Sequence, residues 1–309
     1  LLQRHWRGCN QSNHRETNPW AIDIGVIGMV TDSSKLKHLN ELDGKEWVKA
    51  TKSWFVVNPR PRRKAQKNHP AKFPEELVSR FVQFFTQPGA WVIDPFAGVG
   101  STSVACSQLE RNSVGIELMP EFVEIGLEAL KATPCDTEHH LVVGDSIKID
   151  GVLVEHFGDD TPMFDFLITS PPYWNMLRKS RGGNVTAHKE REVKGLKQYY
   201  SDSNLDLGNI NSYESYIESV GKVLDGVHPF LSDGAYLAVV AQNMRDVDGI
   251  MRPIAWDLAR RLSHAYELKQ EQIWCQDNKR LGCWGFPTTY VSNVHHHYCL
   301  VLQKSKAKT

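Results

Sequence analysis

The chain lacks the closely spaced cysteine pairs of a disulfide scaffold or a zinc site. It contains six cysteines among 309 residues, and they are scattered along its length. Cys275, Cys283 and the run His295–His297 lie in one region, but Cys-x7-Cys is not a usual zinc spacing. We therefore predict reduced thiols and no metal site.

The sequence also lacks a long hydrophobic run and a net charge. No stretch reaches the roughly 18 apolar residues of a membrane span, and residues 1–18 are polar and basic rather than signal-like. We expect a cytoplasmic protein without membrane contact. The 36 basic residues balance 36 acidic ones, so any attraction to nucleic acid must come from a local patch.

Short apolar runs alternate with helical periodicity along most of the chain. Strands are expected near residues 91–93, 113–116 and 164–169, and an amphipathic helix near 74–85. This alternation predicts an α/β fold with a mostly parallel seven-stranded sheet and helices on both faces. We expect one main domain at residues 51–309, preceded by an extension at 1–50 whose role the sequence does not define.

A glycine loop follows the first of these central strands. It has the sequence Asp94-Pro-Phe-Ala-Gly-Val-Gly-Ser-Thr102. Gly98 and Gly100 allow a tight turn and a close approach of the backbone to a ligand. The third glycine of a dinucleotide fingerprint is missing because Ser103 stands there, which argues against a nicotinamide cofactor.

Two further acids end the next two strands. Glu117 lies 23 positions after Asp94, at the place where an acid can accept hydrogen bonds from ribose hydroxyls. Asp145 ends the third strand and could accept from an adenine amino group. An acid at a strand end is often only a helix cap, but three in register favour a nucleoside-containing cofactor.

The segment Thr169-Ser-Pro-Pro-Tyr-Trp174 has the chemistry to hold a planar exocyclic amine. The nitrogen lone pair of such an amine is delocalised into the ring, so the site must localise it. The hydroxyl of Ser170 and the carbonyl of Pro171 can accept the two amino hydrogens, and the two prolines fix these acceptors in place. Tyr173 can stack on a flipped base, and Trp174 can line the same pocket.

Together these segments resemble the amino-DNA methyltransferases. Residues 94–102 resemble the family's cofactor motif, and residues 68–77 resemble the segment that leads into the neighbouring helix. The resemblance covers about residues 50–305 and implies a Rossmann-like class I methyltransferase domain that uses S-adenosylmethionine. The motifs are closest to the beta arrangement but occur in reversed order, which a circular permutation explains.

The resemblance also assigns residues to the two halves of the site. It implies a catalytic set of Ser170, Pro171, Pro172 and Tyr173. The cofactor-binding set that it implies comprises Lys72, Pro74, Asp94, Phe96, Gly98, Gly100, Ser101, Thr102, Glu117, Leu118, Asp145 and Ser146.

Serine at the first motif position is typical of the N4-cytosine branch, whereas Asp-Pro-Pro-Tyr is commoner in the N6-adenine branch. We therefore predict methyl transfer to N4 of a flipped cytosine, with N6 of adenine as the alternative. RNA or protein-glutamine methylation, a catalytically silent DNA-binding subunit and a nicotinamide-dependent oxidoreductase are weaker alternatives. C5-cytosine methylation needs a nucleophilic cysteine. The only candidate dipeptide, Pro134-Cys135, is followed by Asp136 in a loop after a helix, so we discount this reaction.

An insertion at residues 178–212 follows the catalytic motif and is rich in positive charge. We expect it to contact the backbone of double-stranded DNA. The chain shows no separate target-recognition domain, so a specificity subunit or a homodimer is a candidate partner. The context expected is a restriction–modification system of a bacterium, archaeon or phage. The predicted nucleic-acid contacts are Trp174, Arg178, Lys179, Arg181, Lys189 and Arg191.

Overall fold

The computed structural model describes most of the chain from residue 38 onward. The described residues are 38–59, 74–133, 135–174, 201–246, 249–279, 281, 283–284, 287–288, 291–292 and 294–305.

Within these residues, eight strands form one sheet. They are β1 (Trp54–Val56), β2 (Trp91–Asp94), β3 (Asn112–Glu117), β4 (His139–Val143), β5 (Phe164–Thr169), β6 (Leu231–Ala241), β9 (Tyr266–Cys275) and β12 (His296–Lys304). The short strands β7 (Met244–Arg245) and β8 (Met251–Arg252) form one small pair, and β10 (Cys283–Trp284) and β11 (Val291–Ser292) form another.

The order of the strands in the large sheet is β1-β9-β12-β6-β5-β2-β3-β4. From β6 to β4 the neighbouring strands are parallel, whereas β12 runs antiparallel to both β6 and β9. The predicted mainly parallel α/β sheet is confirmed. The described part of the sheet has eight strands rather than seven, because β1 adds to its edge as a parallel partner of β9.

Seven α-helices are described. They are α1 (Gly44–Ala50), α2 (Glu75–Phe85), α3 (Ser101–Gln108), α4 (Pro120–Lys131), α5 (Ile149–Phe157), α6 (Tyr213–Val227) and α7 (Ile254–Leu262). Two separate apolar clusters cover the two faces of the sheet. One contains Phe81 and Phe85 of α2 packed against Phe166, and the other contains Tyr216 and Leu224 of α6. Helices therefore lie on both faces, as predicted.

The segment just before β1 packs on the main domain. Asp43 and Glu46 form a reciprocal capping box that starts α1. The ring of Trp47 lies 4.8 Å from that of Phe84 on α2, and Arg80 of α2 donates to the carbonyl of Ala50 at 2.7 Å. The boundary at residue 50 stays a prediction, but residues 43–50 are tied to the domain that follows.

Candidate active site

The two motifs meet where the strand order reverses. The chain runs from β2 outward through β3 and β4 and then returns to place β5 on the other side of β2. Such a reversal opens a crevice at the carboxyl ends of parallel strands, where ligands bind in α/β sheets. A hydrogen bond joins the two motifs there, because the Thr169 hydroxyl at the end of β5 donates to Oδ1 of Asp94 at 2.6 Å.

Asp94 is fully buried and holds the crevice together. Besides the bond from Thr169, its carboxylate accepts from the Phe96 N–H at 3.0 Å and from the Thr102 hydroxyl at 2.5 Å. Burial raises the pKa of Asp94 to about 6, although these three donors oppose the shift. These three donors let the carboxylate fix the glycine loop and the end of β5, and its contact with the cofactor stays a prediction.

The glycine loop needs glycine for its backbone conformation. Gly98 has φ 53° and Gly100 has φ 76°, both in the left-handed region. The N–H groups of four loop residues are used inside the protein. Phe96 donates to Asp94, Ala97 to the Ile116 carbonyl, Gly98 to Glu117 and Gly100 to the Ala97 carbonyl. None of these four groups is directed at a ligand.

Glu117 ends β3 and faces the same loop. Its Oε2 accepts from the Gly98 N–H and its Oε1 from the Met119 N–H, both at 2.9 Å. These two bonds fix the carboxylate while each oxygen keeps a second lone pair for a ligand hydroxyl. Burial raises the pKa of Glu117 to about 7. The group is therefore a preorganised acceptor that titrates near neutral pH.

The end of β4 lies beside the glycine loop. Asp145 caps the short 3-10 helix Ser146–Lys148 by accepting from the Ile147 N–H at 3.0 Å. The buried Ser146 hydroxyl donates to the Pro95 carbonyl at 2.5 Å. Ser146 thus ties β4 to the glycine loop, and Asp145 stands partly exposed beside it.

The other predicted cofactor residues take different places. Pro74 lies at the N-cap of α2, and Phe96 is half-buried against the core. Ser101 and Thr102 are buried in the first turn of α3, with the Thr102 hydroxyl directed at Asp94 rather than outward. Leu118 is half-buried just after Glu117. Lys72 lies outside the described residues.

The predicted catalytic motif leaves β5 at the same end of the sheet. Ser170 Oγ lies 3.3 Å from the Tyr173 hydroxyl oxygen, which in turn lies 3.0 Å from Nδ1 of His297. Pro171 is buried and Pro172 half-buried between them. His297 was missed as a site residue in the sequence, where it was considered only as a metal ligand. It reaches the motif because antiparallel β12 begins at the edge where the parallel strands end.

Trp174, the first of the predicted nucleic-acid contacts, is buried. It is 5% exposed and belongs to the hydrophobic core. Its ring meets that of Tyr213 edge-on at 5.3 Å, and the guanidinium of Arg252 lies 5.9 Å from the ring centre. Its ring therefore packs behind the turn that carries Ser170, and its contact with a flipped base stays a prediction.

The remaining predicted DNA contacts fall outside the described residues. They are Arg178, Lys179, Arg181, Lys189 and Arg191. Among the residues that are described, no group of three or more His, Cys, Asp or Glu side chains is arranged to hold a metal ion. Nor does any described helix have the length and apolar character to span a bilayer.

Comparison with known proteins finds similarity over part of the chain. Residues 11–128 match the family model described as DNA methylase. The type II methyltransferase M.Cfr9I of Citrobacter freundii is 46% identical over 63 residues, which are 20% of this chain and 21% of that protein. M.BglII of Bacillus subtilis is 33% identical over 81 residues, which are 26% of this chain and 22% of that protein.

These matches extend over only part of the proteins concerned. The chain spans 21% and 22% of the lengths of the two relatives. Among solved structures, TrmN from Thermus thermophilus aligns with a TM-score of 0.43 at 14% identity, over 74% of this chain and 48% of that one. A likeness this distant carries no functional argument.

Proposed function

We propose, from the relationship of this chain to the amino-DNA methyltransferases, that it transfers a methyl group from S-adenosylmethionine to an exocyclic amino nitrogen of a base in double-stranded DNA. The observation that carries the proposal is the bond between Thr169 and Asp94 at 2.6 Å. It fastens the amine-binding motif to the glycine loop, so that acceptor and methyl donor would share one crevice.

The crevice suits a cationic cofactor better than a dinucleotide. A pyrophosphate needs free backbone N–H groups at the glycine loop, but the N–H groups of Phe96, Ala97, Gly98 and Gly100 already have partners within the protein. Ionised Glu117 beside that loop would repel a phosphate, whereas it would attract a cation. These features disfavour a nicotinamide cofactor and fit S-adenosylmethionine, which carries a sulfonium and an ammonium group.

The residues divide the work of the reaction. Glu117 and Asp145 would hold the ribose hydroxyls and the adenine amino group, while Asp94 keeps the loop in position. The bound cofactor supplies an electrophilic methyl group on a sulfonium. Ser170 and the Pro171 carbonyl accept the two amino hydrogens of the target and so turn its nitrogen lone pair away from the ring. Tyr173 stacks on the base, which has left the duplex.

Within this class we propose N4 of cytosine as the target, with N6 of adenine as the alternative. The support is Ser170 at the first motif position, because a neutral hydroxyl there is typical of the N4-cytosine branch. A role in restriction–modification is in keeping with the type II relatives. For sequence recognition the candidates are the 178–212 insertion, residues 1–50 and a second subunit.

The experiment is a labelled methyl transfer. The protein is incubated with methyl-labelled S-adenosylmethionine and unmodified bacterial DNA, the DNA is digested to nucleosides, and the labelled nucleoside is identified by mass spectrometry. N4-methylcytosine is the expected product. N6-methyladenine would keep the reaction class but overturn the target. Absence of label, with cofactor binding measured in the same sample, would support the silent-subunit alternative.

A further inference from the structure

The hydroxyl of Tyr173 lies between Ser170 and a histidine from a distant strand. The two oxygens are 3.3 Å apart, and Nδ1 of His297 lies 3.0 Å from the tyrosine oxygen. Ser170 and Tyr173 belong to one turn, whereas His297 is separated from Tyr173 by 124 positions in sequence. Three side chains able to share protons thus form one continuous chain that ends at the predicted methyl acceptor site.

His297 is held rigidly at the end of this chain. It is 8% exposed, and its ring stacks on Trp274 of β9 with centroids 4.3 Å apart and planes 22° apart. The two residues are register partners across β9 and β12. Trp274 is itself fixed, because its indole N–H donates to the Val57 carbonyl at 2.8 Å. The imidazole therefore has one preferred orientation toward Tyr173.

The surroundings keep this imidazole neutral. Burial lowers the pKa of His297 to about 3, and the nearby positive charge of Lys279 acts in the same direction. A neutral imidazole has one N–H and one bare nitrogen that can accept a hydrogen bond. A bare Nδ1 can therefore receive the proton of the Tyr173 hydroxyl.

The direction of these protons decides what Ser170 can do. A serine hydroxyl has one proton, and a target amine that must donate to Ser170 Oγ requires that this proton point elsewhere. The Tyr173 oxygen can accept it, provided that the Tyr173 proton is directed away from Ser170. A bare Nδ1 on His297 accepts the hydrogen bond that the Tyr173 hydroxyl then donates.

We propose that His297 is a positioning residue that orders the chain Ser170 to Tyr173 to His297, so that each hydroxyl donates toward the histidine and the Ser170 oxygen faces the target amine only as an acceptor. The inference rests on the proposed function. It explains how a neutral serine presents the acceptor that the reaction requires, and it gives the Tyr173 hydroxyl a part distinct from stacking of its ring.

Three variants test the chain by kinetics. His297→Leu removes the acceptor, Tyr173→Phe keeps the stacking ring without the hydroxyl, and His297→Asn places an amide oxygen near the position of Nδ1. We expect kcat to fall about 10-fold in the first two, with KM for DNA and Kd for S-adenosylmethionine changed less than about 2-fold. His297→Asn should recover most of the loss, and the exposed His264→Leu is the control without effect.

The double variant His297→Leu with Tyr173→Phe should lose no more activity than either single variant, because both break the same chain. Additive losses would overturn the proposal, as would wild-type kcat in His297→Leu. A His297→Asn variant that folds normally but does not recover activity would also overturn the proposal. Loss of the packing of the imidazole would then be enough to explain the lower activity of His297→Leu.

A spectroscopic measurement does not depend on methyl-transfer activity. Nitrogen-15 NMR of labelled histidine should show a bare, hydrogen-bonded Nδ1 and a protonated Nε2 for His297, and the Nδ1 signal should move toward that of a free acceptor in Tyr173→Phe. A protonated Nδ1 would overturn the ordering. If the wild type shows this signature but transfers no methyl group, the proposed function fails while the ordered chain stands.

Discussion

Replacing Gly126 with alanine should displace the glycine loop that contributes to the proposed cofactor site. Gly126 lies on the buried side of α4, and an added Cβ would come within 2.6 Å of Leu141 Cδ1. It would also approach the backbone carbonyl carbon of Val99 at 3.3 Å and the N of Gly100 at 3.4 Å. Leu141 has little room to retreat, because one of its methyl groups already closely faces Gly115 of β3.

Two opposing effects determine how much Gly126→Ala changes the free energy of unfolding. Alanine in place of a helical glycine gains about 0.5–1 kcal/mol, whereas overpacking a core costs about 1–3 kcal/mol. We therefore expect Gly126→Ala to lower the free energy of unfolding by about 1–2 kcal/mol. Because the strain bears on Val99 and Gly100, the affinity for S-adenosylmethionine should fall several-fold as well.

Gly151→Ala is the matched control. Gly151 also lies in a helix, α5, but an added Cβ there meets no atom within 4 Å. This variant should be more stable than the wild type by about 0.5–1 kcal/mol and should bind the cofactor unchanged. Urea unfolding and calorimetric titration measure both quantities. The reasoning is refuted if Gly126→Ala matches Gly151→Ala in stability and in cofactor affinity.

Three further predictions concern charge and hydrogen bonding. Burial raises the pKa of Glu117 to about 7, and the ionised carboxylate is the better acceptor for ribose hydroxyls, so cofactor affinity should rise as the pH increases through about 7 and then level off. Glu117→Gln should bind the cofactor weakly, with an affinity that does not change with pH. An affinity that still changes with pH in that variant would contradict the assignment. Thr169→Val removes a buried donor to Asp94. It should lower the free energy of unfolding by about 1.5–3 kcal/mol above about pH 6, where Asp94 is ionised, and by less at lower pH. An equal decrease in the free energy of urea unfolding above and below pH 6 would argue against a charge-assisted bond. Replacing Lys189 and Arg191 with alanine should weaken DNA binding and reduce the slope of log affinity against log salt by about one to two, whereas an unchanged slope would remove this segment from the interface.

The glycine loop and its acids could be predicted because their signals are local. A strand that ends on Asp94, followed by Gly98 and Gly100, has few conformations open to it, and the structure places both glycines at positive φ. The direction of the Asp94 carboxylate could not be predicted in the same way. It depends on donors from β5 and α3, and only the pairing of β2 with β5 brings Thr169 within reach.

Contacts between residues that are distant in sequence could not be predicted from local patterns. His297 lies beside the site because β12 pairs antiparallel with β9, which stacks the imidazole on Trp274. The sequence around His297 has no local pattern that predicts this pairing. Trp174 was predicted to line the pocket of a flipped base, and the structure shows it 5% exposed against the hydrophobic core. Its neighbours Tyr213 and Arg252 come from later elements that enclose it.

Helices α1 and α5 were not predicted, for a simpler reason. Helix α1 has seven residues, none of them buried, so it lacks the apolar periodicity by which helices are recognised. Its signal was the capping pair Asp43 and Glu46. Helix α5 buries only Ile149 and Leu153 among its nine residues, so its apolar stripe is also short.

The central claim is that Ser170 presents the acceptor for a target amine beside an intact S-adenosylmethionine site. The most direct test measures cofactor affinity and methyl transfer to DNA on the same preparations of wild type and Ser170→Ala. The account predicts nearly unchanged cofactor affinity and turnover lowered by more than about 10-fold, the order expected for a lost preorganised group. Unchanged turnover, or equal losses of affinity and turnover, would contradict it.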